Sequence, residues 1–145
     1  MRTTVALILL LAFSTDGRGA QQVIQFTARL SPVPRTAATV ATVTGSGTVT
    51  AVLDGATLTV AGTFAGLQSP ATSARLHMGE RTGVRGPAIF DLQVVGQTSG
   101  SVSATLKVSR VHIDSFERGQ FYVQLHSQRA PEGNLWGWLL VEAPR

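Results

Sequence analysis

Cysteine is absent from all 145 residues, and that absence removes several chemistries at once. There is no thiol nucleophile, no thiolate zinc site and no haem attachment motif. A chain of this length can hold a core without disulfides, which become necessary mainly in much smaller domains. Lysine is almost absent too: Lys107 is the only one, so the net charge of +4 rests on arginine. Those arginines are scattered, and only Arg75, Arg81 and Arg85 fall close together, beside a glycine-rich turn. A nucleic-acid surface gathers its basic residues on one face with aromatics between them, so no nucleic-acid partner is expected. The acidic residues are equally dispersed. None is visibly paired for two-carboxylate glycoside chemistry, and Gly45-Ser-Gly47 lies in a Thr/Val turn region rather than in a strand-to-helix nucleophile elbow. An enzyme is therefore not expected.

Membrane-length apolar runs are also missing. Val5 to Phe13 is apolar, but a bilayer span needs about 20 such residues. Preceded by Met1-Arg2, this run has the layout of a secretory leader. Cleavage after Gly19 would leave Gly17 and Gly19 at the small-residue positions; cleavage after Ala20 would put Arg18 at the inner one. The expectation is a leader over 1–20 and one domain over 21–145, secreted, periplasmic or held at the cell surface, with no transmembrane span after processing. A retained N-terminal anchor is the alternative.

Helical periodicity is lacking beyond the leader. In its place the chain alternates with a period of two, which puts residues i and i+2 of a strand on one face. Ile24, Phe26, Ala28 and Leu30 form one such set, stopped by Ser31-Pro-Val-Pro34. Val49, Ala51 and Leu53 precede Asp54-Gly55, and Leu58, Val60 and Phe64 follow it, which is a strong hairpin signal. Thr72–Met78 places Ala74, Leu76 and Met78 inward. Ala88–Val95 and Ser101–Val108 follow as strands, and Ser109–Arg118 breaks the rhythm as a short helical turn folding Val111 and Phe116 over one end. The anchor of the chain is the closing pair, Phe121–Ser127 and Asn134–Val141, joined through a connection holding Pro131 and Gly133. About eight short strands predict an all-β, two-sheet antiparallel β-sandwich, immunoglobulin-like in appearance, with a closed antiparallel barrel as the alternative.

Several short stretches carry a resemblance. Phe26-Thr-Ala-Arg-Leu30 with Val33-Pro34, Gly66-Leu67, Ala74-Arg-Leu-His77 with Gly86-Pro87, Gly119-Gln-Phe-Tyr-Val-Gln-Leu-His126, Pro131-Glu-Gly133 and Gly137-Trp-Leu139 occur in this order, and the chain resembles the CHRD (chordin-type) domain family. The resemblance implies an extracellular β-sandwich-like module, found singly in bacterial exported proteins and repeated in chordin, with no activity general to the family. Three departures stand out. A His-x-His pair is replaced by Arg75-Leu76-His77, an Asn-Val-His-Thr run by Gln124-Leu125-His126-Ser127, and a Gly-Glu-Ile-Arg-Gly-Gln-Leu run by Gly133-Asn-Leu-Trp-Gly-Trp-Leu139.

Alternation turns Arg75, His77, Tyr122, Gln124, His126, Trp136 and Trp138 away from the core. With the Thr72–Met78 strand beside the closing pair, these seven form one face. Two tryptophans and a tyrosine on an exterior suit a partner-binding patch. The expected partner is a protein or glycan at the cell exterior, and a sandwich with uncovered edge strands could also pair with itself. The opposing possibility is that the Gly79–Pro87 loop or the N-terminal strand covers the tryptophans as ordinary core. A metal reading uses His77 and His126 as imidazole ligands, in a copper- or zinc-handling protein or a redox enzyme. Such sites take three or four ligands, the only further histidine is His112, and Arg75 would repel the ion, so no cofactor is expected. Cross-strand or loop hydrogen bonding by the two histidines is the favoured alternative.

Overall fold

The computed structural model describes residues 22–143, and the leader expected over 1–20 lies outside them. Nine strands and one helix follow in the order β1 (Val23–Pro32), β2 (Ser46–Asp54), β3 (Thr57–Ala65), β4 (Ala71–Met78), β5 (Ala88–Gly96), β6 (Gly100–Lys107), α1 (Arg110–Glu117), β7 (Phe121–Ser127), β8 (Ala130–Trp138) and β9 (Leu140–Val141). The expected alternation is visible in β1 to β3. Phe26, Ala28 and Leu30 of β1, Val49, Ala51 and Leu53 of β2, and Leu58 and Val60 of β3 are buried, and residues between them face outward. Gly55, at the first of two loop positions between Asp54 and Thr57, has φ +61° while Ala56 does not enter that region. That is the type II′ pattern, whose twist matches the flanking strands.

The two-sheet sandwich is not what these strands build. They close into an eight-stranded antiparallel barrel, the alternative reading, in the order β1–β2–β3–β6–β5–β4–β7–β8 and back to β1. The short β9 adds a second pairing to β1. Two strands make the closure by changing neighbours along their length. β1 pairs with β2 over Val23–Leu30 and with β8 at Ser31 and Pro32. β5 pairs with β4 up to Leu92 and with β6 from Gln93 onward. A sandwich would leave edges at those places. Here β1 to β8 each have a neighbour on both sides, which removes the uncovered edges through which a sandwich could pair with itself. The chain also runs on through Pro32 instead of stopping before it, since Val33 N–H bonds the Asn134 carbonyl at 3.1 Å.

One end of the barrel is plugged by α1. The Ser109 side chain caps its start by accepting from the His112 amide. At its end the Gly119 and Gln120 amides return to the Phe116 and Ser115 carbonyls, a Schellman arrangement. This geometry drives Phe116 into the barrel, fully buried and stacked on Phe121 with centroids 3.8 Å apart. Val111, expected beside it, is instead 66% exposed on the far side of the helix.

Candidate functional site on the outer face of β4, β7 and β8

The register of three adjacent strands fixes which outward side chains meet. His77 stands opposite Tyr122, and Tyr122 opposite Trp138. One row along, Arg75, Gln124 and Trp136 align; the next row pairs Ser73 with His126. All seven residues expected on this face are therefore brought together. They are not all available to a partner. Tyr122 and Gln124 were expected at the surface, yet they are only 1% and 4% exposed.

Two pieces of chain do the covering. The Gly79–Pro87 loop folds back over the Tyr122 row. Tyr122 donates its hydroxyl to the Gly86 carbonyl at 3.2 Å and accepts the Gly86 amide at 3.1 Å. His77 donates Nδ1–H to the same carbonyl at 2.9 Å and stacks on the Tyr122 ring. That fixes Nε2 of the neutral ring as a bare acceptor, and it is buried without a partner. Burial holds the His77 pKa below its ordinary value; the Gly86 hydrogen bond opposes this, while His126, Arg75 and Arg85 add to it.

The second cover is β8 itself. The sequence pattern made Pro131 to Gly133 part of a connection, but β8 begins at Ala130, and Gln128-Arg129 alone make the turn. Between Leu125↔Leu135 and Ser127↔Ala130 the register shifts, so Pro131-Glu132-Gly133 bulges outward. The bulge turns its carbonyls onto the face. His126 Nδ1 donates to the Pro131 carbonyl at 2.9 Å, and Gln124 Nε2 donates to the Glu132 carbonyl at 3.2 Å. Gly133 has φ +135°, and a Cβ there would come within 2.9 Å of Gln124 Nε2. The bulge is fixed from behind by Asn134, fully buried, which accepts from Ser127 Oγ and donates to the Thr44 carbonyl, both at 2.7 Å.

The tryptophans end up between the two extremes. Trp136 and Trp138 are both half-buried. Trp138 packs 4.5 Å from Tyr122, and Trp136 meets Tyr122 edge-on at 5.9 Å. The Arg85 guanidinium lies 4.9 Å over the Trp136 ring, a favourable placement for a cation on an indole face. In the sequence Arg85 is only part of an arginine cluster beside a glycine-rich turn; that its loop lands on Trp136 depends on tertiary structure. Arg75 pairs with Asp91 at 3.0 Å on the open surface.

The histidines do not form a ligand set. His77 and His126 lie two rows apart, with the Arg75–Gln124 row between them. The third, His112, packs against Phe90 and Phe121 at the α1 end. Among the described residues no three His, Asp or Glu side chains gather as a metal centre would require.

A family model described as the CHRD domain matches residues 13–139, most of the chain. The chain belongs to the CHRD domain family. Comparisons with curated proteins and with solved structures returned no match. CHRD domains are typically extracellular modules. Leu76, Leu125, Leu135 and Leu139 are buried inside the barrel. Arg75, Gln124, Trp136 and Trp138 project from its outer face, on β4, β7 and β8.

Proposed function

We propose that this CHRD domain is a non-enzymatic module, exported through its N-terminal leader, that works by binding at the cell exterior. The observation carrying the reading is the aromatic ladder outside β7 and β8. Trp136 and Trp138 sit half-buried two residues apart on β8 with ring centroids 6.3 Å apart, while the exterior of β2, β3 and β6 is dominated by Thr, Ser and Ala. Rigid aromatics with little side-chain freedom left to lose are efficient binding anchors. In this reading Trp136, Trp138, Arg75 and His126 meet the partner, and His77, Tyr122 and Gln124 hold them from beneath.

The test is retention of the purified domain on isolated cell-envelope material. Trp136→Ala with Trp138→Ala is expected to abolish retention while the circular dichroism spectrum keeps its β character. Should the double variant unfold, Trp138→His and Trp136→Phe singly keep a ring in place and still reduce the stacking area. Undiminished retention in folded variants would end the proposal.

A further inference from the structure

A small cleft adjoins this face. It encloses about 200 Å³ between the chain at Val33–Val43, the Arg85 loop and the β8 bulge. Two larger hollows, of about 620 and 680 Å³, lie over the outside of β1, β2 and β3, lined mainly by threonines and small residues without a pair of like charges. The small cleft has a different chemistry. Val33 and Val43 give it an apolar floor, itself packed on Trp136 and Ala130. Thr39 adds a hydroxyl to its wall, and Arg85, Arg129 and Glu132 carry charge into it. Among the described residues neither Arg85 nor Arg129 takes part in an ion pair. Two guanidinium groups against one carboxylate leave the cleft positive.

We infer that this cleft takes a carboxylate-bearing sugar unit of an acidic glycan, an inference that rests on the binding-module reading and names its ligand class. The warrant is the pairing of surfaces. A guanidinium presents a planar fork that matches a carboxylate's two oxygens, and Arg85 is already oriented by its seat on Trp136. A sugar ring presents an apolar face for Val33 and Val43 and hydroxyls for Thr39 and Glu132. The whole chain is basic, with a sequence pI near 11.1, which favours encounter with acidic polymers.

The cleft can be tested by calorimetric titration of the purified domain with an oligogalacturonate, the neutral oligogalactan of equal length, and an oligoglutamate of equal charge. The acidic sugar is expected to bind tightest, and its affinity to fall as salt rises. Arg129→Gln should weaken it about ten- to hundredfold, the range for losing a hydrogen bond to a charged group. Arg129 is the residue to change because its hydrogen bond to Ser69 Oγ is made by the backbone amide and survives the substitution. Glu132→Gln should strengthen binding about two- to fivefold by removing the one like charge, a gain that a purely structural role would not produce. Equal affinity for oligoglutamate, or indifference to both substitutions, would overturn the inference. Binding of the neutral oligomer lost on Trp136→Ala with Trp138→Ala, but untouched by Arg129→Gln, would overturn it while leaving the binding-module reading intact.

Discussion

His77 lies nearly parallel to Tyr122, with ring centroids 5.0 Å apart and planes 21° from coplanar, and both side chains end on the backbone of one residue, Gly86. The loop that covers the aromatic face is thus held in part by a histidine whose burial favours the neutral form. Its Nδ1–H is committed to a carbonyl, and its Nε2 is buried without a partner. Protonation would bury a cation facing Arg75, Arg85 and His126.

That arrangement makes stability depend on pH in a definite direction. The folded-state pKa of His77 lies below its ordinary value of 6.5. Above that value the ring is neutral in both states and contributes no pH dependence. As pH falls below it, the unfolded chain takes up a proton before the folded chain does, so the folded state loses ground until the folded pKa is passed. Thermal unfolding followed between about pH 7.5 and 5, a window bracketing the unperturbed imidazole, should show a falling midpoint. In His77→Gln the fall should be shallower, since the remaining titrating groups are shared. Parallel curves would show that His77 does not govern the loop.

A second prediction concerns Gly133. Its φ of +135° is one that L side chains rarely adopt, and the added Cβ of an alanine would press on the Gln124 amide. Gln124 is buried, with Nε2 already shared between the Glu132 carbonyl and His126. Gly133→Ala therefore has no inexpensive relaxation, and about 1–3 kcal/mol of stability should be lost. Urea denaturation measures this directly. A loss of less than about 0.5 kcal/mol, the ordinary scatter of surface substitutions, would mean that the bulge adapts freely.

These two sites also show where the sequence was readable. Period-two alternation assigned the inward faces of β1 to β4 and β7 correctly, because burial on one side of a strand is written in each residue's own polarity. It also placed His77, Tyr122 and Trp138 on one outer face, and the register put them in a single row. Closure was not readable, since the same alternation serves a sandwich and a barrel, and the difference lies in β1 and β5 changing partners midway. Pro131 and Gly133 suggested a loop for a sound reason, as both are turn formers, yet a bulge uses the same residues to aim carbonyls at Gln124 and His126. Burial of Tyr122 was hidden for a third reason: its cover is a loop some forty residues earlier in the chain, whose landing place no local pattern encodes.

The barrel plug supplies the last prediction. Phe116 is fully buried, stacked on Phe121 and 5.7 Å from Phe26 of β1, so it joins the helix to strands far apart in the chain. Truncating a buried phenylalanine to alanine removes its burial and leaves a cavity, a combined cost of about 3–5 kcal/mol. Against a typical domain stability of about 5–15 kcal/mol, Phe116→Ala should sharply lower the urea midpoint. Val111→Ala, five residues earlier on the exposed side of the same helix, is the control and should shift it by no more than about 0.5 kcal/mol. If the two substitutions cost the same, α1 lies on the barrel without plugging it, and the single interior described for this chain would have to be redrawn.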